Sequence, residues 1–264
     1  MAIGPFRDIG VEMAGHVALV EIRRPPNNFF DVALIKEIAT AFEALDADAD
    51  CRALVLAAQG KAFCAGANFG DSDSDGGELL SGPRPGAAHL YIEGNRLFRT
   101  GKPIVAAVHG AAVGGGLGLA MVADFRVTCP EARFSANFAR LGFHPGFGLT
   151  VTLPAVIGPT KAALMFYTSR RVPGDEANAM GLADVLVPQD QVRSAALKLA
   201  AEIAENSPLG LVATRATMRG DLADRVRAAT EHELAEQTWL RKTDDFKEGV
   251  KAMAERRLPV FSNR

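Results

Sequence analysis

Apolar residues recur with two different periods along the first 190 positions. Ile9 to Met13 and Val17 to Ile22 flank Ala14, Gly15 and His16, which predicts a hairpin of short strands around a glycine turn. Asp31 stands where a helix N-cap belongs, and Leu34, Ile35, Ile38, Phe42 and Leu45 then follow at helical spacing, so a helix is expected through Leu45. Ala53 to Ala57, Ile104 to Val108, Phe125 to Thr128 and Asp184 to Val187 read as further strands, with a helix starting near Gly174. This alternation predicts an α/β architecture. Past Asp190 the helical period continues through Gln191 to Glu205, Leu209 to Met218, Asp221 to Thr243 and Asp244 to Glu255 with no strand signal between. The expected organisation is an α/β core over 1–190 and a helical region over 191–264. The helix carrying Leu222, Val226, Leu234 and Trp239 packs on its own domain or offers an apolar face to another subunit; the pattern allows both.

Ile104 to Ala123 carries no formal charge and has about the length of a membrane span. Its five glycines and His109 predict instead a strand, a glycine turn and a helix from about Gly116. Asn68 to Ala87, with several Gly, Asp, Ser and Pro residues, reads as a mobile loop within the domain. Within it Asp71 to Gly76 opens like a calcium-binding loop, but the twelfth position is Gly82 where glutamate is required, so a solvated acidic loop is expected.

Composition narrows the function classes. With 48% apolar and 23% charged residues over 264 positions, the chain can bury a large core without covalent staples. Cys51, Cys64 and Cys129 lack paired spacing, so neither a disulfide framework nor a metal cage is indicated. The start, Met1 to Arg7, has no signal-peptide core, and a cytoplasmic protein is expected. A net charge of −2 gives no footprint for nucleic acid, and no membrane partner is expected. Local basic groups are Arg23 with Arg24, and Lys247, Lys251, Arg256 and Arg257.

Two glycine turns carry candidate chemistry. Gly60 to Gly70 reads G-K-A-F-C-A-G-A-N-F-G directly after a strand, where small residues let ligand atoms approach backbone N–H groups. Gly114-Gly115-Gly116 follows another strand and opens a helix, aiming free N–H groups at whatever sits there. Together they could form an oxyanion hole; either turn taken alone reads better as tight helix–strand packing. The triplet does not match a dinucleotide-binding turn, because the final position is Leu119.

Both turns, the stretch Phe134 to Gly148 and the ending D-D-F-K-E-G-V-K-A from Asp244 to Ala252 resemble the crotonase (enoyl-CoA hydratase/isomerase) family in order and spacing. The resemblance covers nearly the whole chain. It implies a crotonase-like spiral of ββα turns with a C-terminal helical trimerisation region, assembled as a homotrimer or dimer of trimers. It also implies an acyl-CoA thioester as substrate, coenzyme A being part of the substrate and no cofactor being tightly bound. The N–H groups of Ala67 and Gly115 would then grip the thioester oxygen, with Ala65 in the same turn. Arg24 and Lys61 fall where the family meets the nucleotide end of coenzyme A, and Lys247 where a neighbouring subunit adds a phosphate contact.

Departures from the family pattern alter the expected reaction. Its hydratases use two glutamates, and those positions fall here on Gly118 and Phe138, which cannot transfer protons. His144, beside the turn that borders the family's acyl pocket, is the candidate replacement base. Asn68, Asn137 and Arg140 are candidate hydrogen-bonding partners of a substrate, Asn68 standing where the family often has aspartate. His109 and Cys64 read as structural. The expected function is enolate or oxyanion chemistry on an acyl-CoA by a lyase- or isomerase-type enzyme. Two alternatives are a non-catalytic acyl-CoA-binding protein and a carbon–carbon bond hydrolase of a cyclic diketone.

Overall fold

The computed structural model of the protein describes residues 4–68 and 90–264. The acidic stretch Asp71 to Gly76 and nearly all of the loop expected over 68–87 lie outside the described residues.

Strands β1 (Ile9–Ala14) and β2 (Val17–Ile22) form the expected antiparallel hairpin, with Ile9 opposite Ile22. Helix α1 (Val32–Ala47) begins where Asp31 accepts a hydrogen bond from the Leu34 N–H at 2.7 Å, as an N-cap should. From there the chain repeats one step. Strand β3 (Ala53–Ala58) joins β2 in a first sheet and β4 (Ala62–Cys64) starts a second. After helix α2 (Leu90–Leu97), β5 (Ile104–Val108) pairs with β3 and β6 (Ala111–Val113) pairs with β4, both parallel. After helix α3 (Gly115–Ala120), β7 (Phe125–Thr128) pairs with β5 and β8 (Arg133–Ser135) with β6, again parallel. Each ββα turn thus adds one strand to each sheet.

Helices α4 (Leu149–Ile157) and α5 (Pro159–Thr168) precede β9 (Arg171–Pro173), which closes the second sheet antiparallel to β8. Helix α6 (Gly174–Ala179) and β10 (Val185–Leu186) complete the first, whose order is β1-β2-β3-β5-β7-β10; the second runs β4-β6-β8-β9. Every residue of β3 and β5 is buried, which explains why both read as unbroken apolar runs rather than alternating ones.

The last third is helical, as expected: α7 (Val192–Ala204), α8 (Pro208–Arg219), α9 (Leu222–Leu240) and α10 (Asp244–Ala254). The division at residue 190 is less sharp in space than in sequence. Helix α7 buries Val192, Ala196, Ala200 and Ala204 at four-residue spacing and packs on β2, β3, β5 and β7, so it covers the first sheet. Helix α9 packs on α2 and α4, and α10 on the 3-10 turn Ala139–Leu141. Gly249, the glycine of the D-F-K-E-G-V motif, permits that last contact: a Cβ there would lie 2.5 Å from the Leu141 carbonyl. Among the described residues no helix is long and apolar enough to cross a membrane.

Candidate active site

Parallel pairing of β4 with β6 makes the two strands end at the same sheet edge, so the turns that follow them lie side by side. Their contact is backbone on backbone. A Cβ on Gly116 would lie 2.0 Å from the Cys64 carbonyl oxygen, and one on Gly66, at φ +84°, would lie 2.7 Å from the Val113 oxygen and 3.8 Å from the Gly115 nitrogen. The first turn is pinned from behind, because Ala65 N–H donates to the Asn27 oxygen and Phe30 N–H donates to the Gly66 oxygen, both at 3.0 Å. Gly115 is the first residue of α3, so its N–H has no partner within the helix. Among the described residues neither that N–H nor the Ala67 N–H donates to a backbone carbonyl.

Both residues line one cavity of about 310 Å³, within the range of small-molecule sites. Ala65, Ala67, Asn68, Gly115 and Asn137 all reach it, so five of the expected site residues are brought together. Phe29, Phe30, Leu141, Phe143 and Phe147 make much of its wall apolar, and Val250, Met253 and Ala254 of α10 close it. No carboxylate or imidazole lines it among the described residues. Phe138 does, which puts an aromatic ring where the resemblance would put the second glutamate. The glycine at the first such position has a steric cause: a Cβ on Gly118 would lie 2.7 Å from Phe147 Cβ and 2.9 Å from its ring.

Other expected site residues are placed elsewhere. His144 does not line the cavity; its Nδ1 lies 2.8 Å from the Pro145 oxygen and its ring meets His232 edge-on at 5.9 Å. Lys61 is exposed, and Lys247 is exposed and paired with Asp244 at 2.8 Å. Arg140 donates to the Thr168 oxygen at 3.2 Å. The structural readings of His109, whose Nε2 lies 3.0 Å from the Gly60 oxygen, and of Cys64, a fully buried thiol that burial pushes up to about 12, fit their surroundings.

Arg24 is clamped between Asp8, at 2.5 Å, and the α1 cap Asp31, with its side chain 17% exposed, so the guanidinium that the resemblance assigns to coenzyme A already holds two carboxylates. Its hydrogen bond holds the Asp8 carboxyl below the usual carboxylate range. A depressed folded pKa contributes stability above the unfolded value and loses it as pH falls through the folded one. Arg24→Ala should therefore cost about 2 kcal/mol at neutral pH, between the exposed and buried extremes for ion pairs. It should also move the acid-unfolding midpoint upward, which circular dichroism against pH would measure.

Three residues that sequence reasoning missed also line the cavity: Tyr91 of α2, Gln237 of α9, and Arg241 just beyond α9. The buried Tyr91 hydroxyl donates to Gln237 Oε1 at 2.8 Å, and burial pushes its pKa up. Gln237 Nε2 donates in turn to the His144 oxygen at 3.0 Å, so residue 144 is tied to the site through its backbone, one residue behind it. Gly146 leaves room for the pair, since a Cβ there would lie 2.1 Å from the Tyr91 oxygen. No local motif marks these residues.

Comparison with known proteins agrees with this geometry. The sequence profile of the enoyl-CoA hydratase/isomerase family matches residues 12–264. The chain is 32% identical to the enoyl-CoA hydratase EchA19 of Mycobacterium tuberculosis over 97% of both chains. It is 34% identical to a putative enoyl-CoA hydratase of Thermus thermophilus, over 94% of this chain and 98% of that one. An enoyl-CoA hydratase/isomerase structure from Pseudoalteromonas atlantica superimposes with a TM-score of 0.86 at 26% identity, covering 97% of this chain and all of that one. Spiral, paired glycine turns and matches along nearly the full length agree, and the chain belongs to the enoyl-CoA hydratase/isomerase family of enzymes, the crotonase superfamily.

Proposed function

We propose that this enzyme binds an acyl-CoA thioester with its carbonyl oxygen between the N–H groups of Ala67 and Gly115, and works through the enolate or oxyanion so stabilised rather than by hydrating a double bond. One observation carries the reading: both donors open into a cavity whose described lining holds no carboxylate or imidazole. Two preorganised N–H groups can supply several kcal/mol where negative charge develops on oxygen. Adding water also needs an acid and a base aimed at that water, and Gly118 and Phe138 supply neither. Coenzyme A arrives as part of the substrate. A homotrimer or dimer of trimers fits the apolar side chains that one chain leaves uncovered, among them Leu209 and Met218 of α8, each 83% exposed.

Two assays on the full chain test this. With a short enoyl-CoA, hydration should run at least about 10⁴-fold below a dedicated hydratase, since two acid–base groups are missing; turnover at 1 s⁻¹ or above, the ordinary enzyme range, would refute the reading. In heavy water, a bound saturated acyl-CoA should take up deuterium at its α-carbon, with solvent water or hydroxide accepting the proton that no described side chain of the cavity can take, and still do so in His144→Ala, because that ring does not face the cavity. Loss of uptake in this variant would restore His144 as the base. Thioester binding without exchange or turnover would leave a binding protein, and failure to bind any CoA species would favour the cyclic diketone.

A further inference from the structure

Arg241 lines the cavity, and two of its donor atoms are unusual. Its Nε and Nη2 are buried, and among the described residues neither has a hydrogen-bond partner. These two donors form one edge of the guanidinium, the fork that takes a carboxylate with two parallel hydrogen bonds. The Phe143 ring lies under the group, its centroid 5.4 Å from Cζ.

Nearby acids do not answer this charge. Glu233 spends both oxygens on Gly148 and Thr150, and Glu236 accepts from Trp239 Nε1 at 2.8 Å. Among the described residues no carboxylate forms an ion pair with Arg241. The neighbouring phenol, Tyr91, is buried and uncharged at neutral pH. Burial disfavours the charged guanidinium, yet arginine does not give up its proton in proteins. Two buried donors with no acceptor are expensive, and a ligand that supplies the missing acceptor recovers that cost on binding.

We propose that Arg241 receives a carboxylate carried on the acyl group, so that the preferred substrates are CoA monothioesters of dicarboxylic acids. This rests on the reading that Ala67 and Gly115 hold the thioester: the same cavity then takes the thioester oxygen at two N–H groups and a second anionic end at the Arg241 fork. The apolar wall between suits the methylene chain.

Titration calorimetry with matched pairs of CoA thioesters tests this, one of each pair ending in methyl and the other, of equal chain length, in carboxylate. The wild-type enzyme should bind the best carboxylate-ended member roughly ten- to hundredfold more tightly than its methyl-ended partner, the worth of a charge-assisted pair. Arg241→Leu should erase that preference while binding the methyl-ended thioester at least as well. Arg241→Lys, which keeps the charge but not the fork, should retain part of it. Arg241→Leu should also melt no lower than wild type, since it removes two unsatisfied buried donors.

A wild-type enzyme without preference at any chain length, which needs no variant to observe, overturns the proposal and leaves the thioester reading standing. So does a preference that survives Arg241→Leu. If that substitution weakens free CoA and both thioesters alike, Arg241 serves a phosphate of the nucleotide and the proposal is wrong. Failure of every CoA thioester to bind overturns both readings.

Discussion

Gly116→Ala should abolish most activity while leaving a protein that still folds at low temperature. Its added methyl would sit 2.0 Å from the Cys64 carbonyl oxygen, 2.7 Å from that carbon and 3.0 Å from Cys64 Cβ. No flexible side chain can swing aside, because two of the three atoms are backbone at the end of a fully buried strand. Helix α3 and the Cys64–Ala67 turn must move apart, and those two bodies carry the two donors. A misplacement of about 1 Å can cost 10²-fold, and losing one oxyanion donor costs about 10²–10³. We expect kcat/KM, or the rate of α-hydrogen exchange, to fall about 10³-fold, with a stability loss of about 1–3 kcal/mol from overpacking. Thermal melting followed by circular dichroism would fix a temperature at which the variant is folded, and the rate is read there. Gly210→Ala is the control: within α8 its Cβ meets only Ser207 at 3.5 Å and beyond. It should stabilise by up to about 1 kcal/mol. A Gly116→Ala enzyme with wild-type rates would show that the separation of the two turns does not set the chemistry.

The parts of this molecule that are legible along the chain are those whose signal is local. Strands β3 and β5 are buried on both faces and read as apolar runs; Asp31 caps α1 within four residues of where the helical period begins. The two glycine turns are legible because close backbone approach permits little else. The second sheet is not legible, since β4, β6, β8 and β9 have three residues each, too few to establish a period of two. Helix α4 is apolar on all sides and contains Pro154, so it offers no stripe to read. Site residues failed for a related reason. Sequence reports which residues are neighbours along the chain and says nothing of where a side chain points: His144 offers its carbonyl to the cavity residue Gln237 and sends its ring elsewhere. Arg24 looks like a free cation until Asp8 and Asp31 close on it. Arg241 looks like a solvated helix end until the fold buries its fork beside residues 150 positions away in sequence, such as Tyr91.

Glu233→Ala should cause the largest loss of stability. This carboxylate is fully buried. Its Oε2 accepts from the Gly148 N–H at 2.9 Å, and Oε1 accepts from the Thr150 N–H at 3.2 Å and the Thr150 hydroxyl at 2.6 Å. Two of these donors are N–H groups at the start of α4, which no intrahelical acceptor can satisfy. Truncation strands them at about 1–3 kcal/mol each, so a total near 4 kcal/mol is expected from urea unfolding. The turn that they fix holds Phe147 at φ 61°, a strained conformation for a bulky residue, with its ring against Phe30 at 5.8 Å. Burial raises the Glu233 pKa despite these donors. A raised folded pKa means that its stabilising contribution is full below the unfolded value of about 4.5 and declines as pH rises through the folded value. The difference between wild type and Glu233→Ala should therefore be greatest in mild acid and shrink towards neutral pH. Glu233→Gln, which keeps one acceptor oxygen, should cost less than Glu233→Ala in mild acid and remove the same pH slope. Residues 233, 237 and 241 recur every four positions along one face of α9 and onto its last turn, so the carboxylate anchors the face that carries Gln237 and Arg241 to the cavity. Glu233→Ala should accordingly weaken binding of carboxylate-ended thioesters even where the protein is folded. Unchanged binding beside the expected stability loss would confine Glu233 to holding α4, and a stability loss below 1 kcal/mol would mean that water replaces it at the helix start.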